Sequence, residues 1–170
     1  MITDYSDNSG AGSYGDATNL LKALLEAGVK EACFGAVCNP QAAKILCQAG
    51  VGEKVTLDLV ERMLQIWEDP FWLAGEVIGI YDGNYFSEGP MYAGLAKSFD
   101  PTAVFRVEEV DILVATHNLQ ILDRMQFSAF GIHPEKLEVV ALKSTQQIRA
   151  AYEPLAAKVI VCDSGALARP

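Results

Sequence analysis

The sequence predicts a single α/β domain with a mixed, partly parallel sheet flanked by helices. Three observations carry that expectation. Glu31-Ala-Cys-Phe-Gly-Ala-Val-Cys38 is almost continuously apolar, as a strand buried on both faces is. Early in the chain such runs alternate with stretches of helical periodicity, in the strand-helix-strand-helix order that builds parallel sheet. Further on, strand-like segments are separated by tight-turn residues, as antiparallel neighbours are. A chain of 170 residues, 51% of them hydrophobic, has the length of about one domain and can bury a core.

The elements follow in order. A loop from Asp4 to Asp16 separates a strand end from a first helix expected over 17–27, where Leu20, Leu21, Leu24 and Leu25 share a face and Gly28 is a natural C-cap. The buried strand at 31–38 comes next, and Asn39-Pro40 opens a second helix through Gln48. Residues 54–60 alternate as a half-buried strand does. The stretch 61–72, with Trp67, Phe71 and Trp72 beside acidic residues, reads as a short helix or an irregular packed segment broken at Pro70. Strands at 76–81 and 85–86 flank Asp82-Gly83-Asn84, a hairpin signature, and strands at 103–107 and 111–115 flank a turn at Glu108 and Glu109. The remaining expectations are a helix over 119–130, a strand at 138–142, a helix from Lys143-Ser-Thr to Tyr152 with Ser144 as N-cap, and a last strand at 158–162.

A net charge of −9 argues against nucleic acid and anionic membrane as partners, since neither meets a basic patch. No apolar run approaches the roughly 18–20 residues that span a bilayer, and the acidic, glycine-rich start is unlike a signal peptide. The expected location is therefore cytoplasmic. Cys33, Cys38, Cys47 and Cys162 form no C-x-x-C pair and read as buried, reduced thiols.

The first loop concentrates the unusual chemistry. Asp4, Asp7 and Asp16 share it with Gly10, Gly12 and Gly15, which spell G-x-G-x-x-G ahead of a helix N-terminus, a place that favours an anion. A dinucleotide site also wants an acidic residue about 20 positions on, and the next strand ends in Asn39 instead. His117 and His133 are the only histidines, and neither lies in a metal-ligand motif. Ser13 and Ser144 have no visible base. Lys143 ends an apolar strand, where it either meets an anion or stands as a solvated cation.

The opening Asp4-x-x-Asp7-Asn8-x-Gly10-x-Gly12-x-x-Gly15-Asp16-x-Thr18 resembles the start of the C-terminal domain of the microcystinase C (MlrC-like) family. Echoes continue in order along nearly the whole chain: Ala49-Gly50-Val51-Gly52, Gly89-Pro90-Met91 with Gly94, Gln120 with Asp123, Leu142-Lys143-Ser144 with Arg149-Ala150, and Asp163-x-Gly165. Ser9 and Ala11 stand where the family usually has Pro and Gly, Gln147 where many relatives have His, and 61–72 replaces a glycine-rich segment. The resemblance implies residues 1–170 as the C-terminal domain of a zinc-dependent hydrolase or peptidase, named for attack on a linearised cyclic-peptide toxin. It implies that the zinc belongs to an N-terminal domain, supplied in cis or in trans, and that this chain alone is inactive. Only three residues precede Asp4, which suggests an excised domain or a truncated relative. On this reading the chain completes a cleft for a small peptide-like substrate, lined by Asp7, Asn8, Gly10, Gly12, Asp16, Gly89, Met91 and Lys143, with no catalytic or metal-ligating residue of its own. Two alternatives stay open: a non-catalytic module binding a small anion at the glycine-rich loop and helix N-terminus, or a structural oligomerisation domain using Trp67, Phe71 and Trp72.

Overall fold

The computed structural model describes residues 1–60 and 70–166. Its elements are β1 (Ile2–Asp4), α1 (Asn19–Glu26), β2 (Ala32–Cys38), α2 (Pro40–Ala49), β3 (Lys54–Asp58), β4 (Trp72–Tyr81), β5 (Asn84–Phe86), β6 (Ala96–Ser98), β7 (Thr102–Val107), β8 (Val110–Ala115), α3 (Met125–Ser128), β9 (Val139–Leu142), α4 (Arg149–Tyr152) and β10 (Ile160–Cys162). Eight strands form one sheet in the order β10-β1-β9-β2-β8-β7-β4-β3, while β5 and β6 make a separate two-stranded ribbon. Pairing is parallel from β10 to β8 and antiparallel from β8 to β3, so the sheet is mixed and partly parallel, as the sequence predicts.

The continuous hydrophobicity of β2 and β8 has a plain cause: both faces of the sheet are covered. Phe34, Val37, Ile112 and Val114 point to the side carrying α1 and α2, where Leu21, Leu24, Ala43 and Leu46 complete one core. Cys33, Leu113 and Ala115 point to the other side, against Phe127, Phe130, Ile148 and Tyr152. Asn39 behaves as its sequence context suggests: its side chain accepts from Ala42 N at 2.8 Å while Pro40 occupies the first turn.

Four expectations are corrected. Segments 76–81 and 85–86 do not form a hairpin, because β4 already has β3 on one side and β7 on the other; β5 turns out of the sheet and pairs with β6. The helix expected over 119–130 shrinks to α3. The Gln126 carboxamide displaces its first turns by accepting from Leu122 N (2.6 Å) and Asp123 N (3.0 Å) and donating to Gln120 O. The helix expected from Lys143 shrinks to α4, and Ser144 is no N-cap: its carbonyl accepts from Thr3 Oγ1 and its hydroxyl from Gln120 Nε2. The first helix begins at Asn19 rather than Ala17, since Ala17 N is drawn to the Asp7 carboxylate at 2.9 Å. Much of the segment read as helix or irregular packing, Trp67 included, lies outside the described residues, but Trp72 opens β4.

Cys33 is fully buried, while Cys38, Cys47 and Cys162 are only half-buried. Burial, with Asp111 adding, holds the Cys33 thiol far above its ordinary range. Burial, then Asp4 and Asp163, pushes Cys162 up to about 11. Burial likewise raises the phenols of Tyr85 and Tyr152. In the unfolded chain these groups lose protons from about pH 9–10, while the folded chain retains them. The native state thus binds more protons there, and stability falls as pH rises past about 9. A thiol reagent at pH 8 should spare Cys33 in the native protein yet count four thiols in denaturant, and melting should not respond to reductant. A reductant-sensitive melt would contradict this.

Candidate functional site

The carboxyl ends of the parallel strands converge, and the loops that leave them form one polar network. This is the edge at which open α/β sheets place ligands. Its centre is a buried ion pair. Lys143, the first residue after β9, directs Nζ to Asp7 Oδ2 (2.6 Å), Gly15 O (2.9 Å) and Ala17 O (2.7 Å), using all three ammonium donors. Asp7 also accepts from Gly15 N (3.0 Å) and Ala17 N (2.9 Å), and both side chains are only 2% exposed. Lys143 is therefore no surface cation: the anion it meets is Asp7, and together they pin the far end of the glycine loop to β9. The Phe34 ring lies 5.4 Å from the ammonium, which adds a cation–π contact.

A second carboxylate ties the loop to the other side. Asp4 Oδ1 accepts from Ser6 N (3.0 Å) and Ser6 Oγ (2.7 Å), and Oδ2 accepts from Ser164 Oγ (2.5 Å) beyond β10. A third, Asp123, accepts from Glu88 N (2.6 Å) and Gly89 N (2.7 Å) and so fastens the 88–94 turn to the same edge.

Carboxamides fill the space between. Asn8 Oδ1 accepts from Gly10 N, and its Nδ2 donates to Thr145 Oγ1. Asn118 Oδ1 accepts from Ser9 Oγ while its Nδ2 donates to Ser13 O. Gln120 Nε2 donates to Ser144 Oγ and Gln147 Oε1. The glycines make this approach possible: a Cβ on Gly10 would lie 2.2 Å from Gln120 Oε1, and one on Gly15, which has φ +75°, would lie 2.4 Å from Asn118 Oδ1.

The structure thus brings Asp7, Asn8, Gly10, Gly12 and Lys143 together in one network, sets Asp16 between Gly15 and Ala17, whose backbones bind Asp7 and Lys143, and joins Gly89 through Asp123. Asp16 is half-buried, and Met91 is 36% exposed in the 88–94 turn. Ser6, Thr145 and Ser164 belong to the network too, though no motif in the sequence singles them out. Their partners lie about 140–160 positions away in the chain, so only the tertiary fold shows them.

The phosphate-cradle geometry of G-x-G-x-x-G is not realised. Gly10 N and Gly15 N go to Asn8 and Asp7 side chains, while Ala11 N, Gly12 N and Ser13 N go to Asn8 O and Ser9 O. Those donors are spent inside the loop, with a carboxylate where an anion would approach.

Nor does the donor set suit zinc. Asp4 and Asp7 are enclosed by N–H, O–H and ammonium donors, His117 and His133 are exposed, and no group of three metal-ligating side chains occurs among the described residues.

The geometry defines an α/β domain whose carboxyl-edge loops are locked together by one buried ion pair and by carboxylates and carboxamides bonded within the network. The chain belongs to the MlrC C-terminal family, whose model, described as MlrC C-terminus, matches residues 2–170. Microcystinase C from a Sphingomonas species is 24% identical over 160 residues, a match covering 94% of this chain and 31% of that protein. The crystal structure of a proposed metallopeptidase from Mesorhizobium sp. BNC1 superposes with a TM-score of 0.86 at 19% identity, over 99% of this chain and 34% of the other, a likeness of fold. The chain spans about a third of the length of these relatives. No helix among the described residues is long and apolar enough to cross a membrane.

Proposed function

We propose that this domain forms one wall of a substrate cleft in a metal-dependent hydrolase, with the metal and the catalytic groups supplied by a second, N-terminal domain. The observation that carries this reading is the state of the carboxyl edge. Its buried charges, Asp4, Asp7, Asp123 and Lys143, are consumed in holding loops, so what it offers outward is a polar rim of Asn118, Gln120, Thr145 and Gln147, with the Asp16 and Glu88 carboxylates beside them and open backbone at Gly12. Such a surface orients a peptide-like substrate by hydrogen bonds and performs no proton transfer itself. Asp7, Lys143 and the buried Asn8 act here as the frame of the wall, while Gly10, Gly12, Asp16 and Gly89 are the positions offered to an incoming substrate and Met91 borders them. The comparisons support the domain assignment by family and by length.

The anion-module reading is the weaker one, because the loop amides are already engaged. The chain alone is expected to hold no stoichiometric zinc after dialysis and to leave linear peptides intact when zinc is added, since a hydrolytic zinc needs three well-placed protein donors. Metal analysis followed by a peptidase assay checks both. Stoichiometric zinc with chelator-sensitive cleavage would place the catalytic site in this chain.

A further inference from the structure

We propose that the β5–β6 ribbon is a docking arm for the polypeptide that makes up the other two-thirds of the family relatives, seated through Phe86, Met91, Tyr92 and Leu95. The proposal rests on the reading that such a domain faces the carboxyl edge. Phe86 is 65% exposed, Leu95 52%, Tyr92 48% and Met91 36%, so four large apolar side chains stand in solvent within ten residues. Single exposed apolar residues are ordinary on a soluble surface, whereas a run of them marks a contact site.

The arm is built to present them. Its inner side is bolted down by Tyr85, which is 4% exposed and lies 5.6 Å from the Phe99 ring and 6.1 Å from the Phe130 ring. The closing turn is held by its own hydrogen bonds, Gly94 N to Ser87 O (2.7 Å), Ser87 N to Leu95 O (3.0 Å) and Leu95 N to Tyr92 O (3.0 Å). Lys97 Nζ sits 3.9 Å from the Tyr92 ring centroid and orients it. A surface ordered in advance loses little entropy on binding.

Position identifies the occupant. Tyr81 ends β4 opposite Thr102, which pairs with Ala115 at the end of β8, so the arm leaves the sheet at the carboxyl edge. The grip of Asp123 on Glu88 N and Gly89 N then ties it to the candidate site. In both relatives about two-thirds of the polypeptide lies outside the match. A domain that closes a cleft at this edge meets the arm first.

The test titrates this chain by calorimetry with the part of Sphingomonas microcystinase C outside the match, in a preparation whose own cooperative melt shows it folded. Wild type is expected to bind, and Phe86→Ser/Leu95→Ser to bind about tenfold or more weakly, as loss of central apolar anchors does. Tyr92→Ser, which leaves both ribbon strands untouched, should weaken binding in the same direction. Ile45→Ser/Val51→Ser, at exposed apolar positions on and just after α2, should change it by less than about twofold, with all variants melting as wild type. An arm variant that binds like wild type overturns the docking proposal and leaves the second-domain reading standing. Absence of wild-type binding sinks that reading, and the docking proposal with it. Sedimentation showing a homodimer that the arm variant dissociates would assign the patch to a second copy and also overturn the proposal.

Discussion

Lys143→Met is expected to lower unfolding free energy by about 3–5 kcal/mol, the usual cost of stranding one member of a buried ion pair. The reason is specific to the geometry. The ammonium satisfies Asp7 and two carbonyls, Gly15 O and Ala17 O, in a site 2% exposed, and methionine fills the volume while leaving a carboxylate without its counter-ion. Domains of this size have about 5–15 kcal/mol in total, so the variant should be close to unfolding at physiological temperature. Asp7→Asn/Lys143→Met should recover part of the loss, because the amide removes the buried charge and can still accept from Gly15 N. Urea denaturation of the two variants decides the matter. A Lys143→Met loss under about 1 kcal/mol would mean that the pair is not the frame of the loop.

Gly83→Ala is the second large effect, and it separates steric contact from backbone conformation. Gly83 stands where the chain leaves β4 for the arm, with φ +85°, and its carbonyl accepts from Phe99 N at 3.0 Å. An added Cβ would lie 1.9 Å from the Asp100 carbonyl oxygen and 2.7 Å from Asp100 N, which is backbone and cannot swing aside. Left-handed strain and overpacking together should cost about 3 kcal/mol or more. Gly12 provides the control: φ is +88°, yet nothing lies within 4 Å of its would-be Cβ. Gly12→Ala should therefore cost only about 1–2 kcal/mol, the conformational part alone. Equal losses in the two variants, measured by thermal melts, would show that the Asp100 contact is unimportant.

Much of the frame was legible because local sequence and tertiary structure agree there. β2 reads as buried because it is covered on both faces, α2 begins where Asn39-Pro40 says it should, and β7 and β8 turn at Glu108 and Glu109. The misreadings have two physical origins: side chains that compete with backbone ladders, and a strand edge taken by a partner distant in the chain. Leu119, Ile121 and Leu122 carry a helical pattern, but Gln126 captures the amides that a helix would have used. Asp82-Gly83-Asn84 turns the chain as expected, yet the pairing edge of β4 is taken by β7, which begins only at Thr102.

At the site, the aspartates and glycines were visible as an overloaded loop. What they do was not, because Lys143 meets Asp7 across 136 positions and its burial depends on β9 lying beside β1. The family resemblance supplied the order of motifs; the packing showed that Asp7 and Lys143 hold the loop together.

The central claim, that the carboxyl edge is the face a second domain closes over, is tested most directly by hydrogen–deuterium exchange. The chain is followed alone and with the remaining two-thirds of Sphingomonas microcystinase C. Slower exchange is predicted in segments 5–18, 88–95, 116–124 and 143–148, with the opposite sheet end, at 29–32 and 107–110, unchanged. Protection confined to that opposite end would contradict the account.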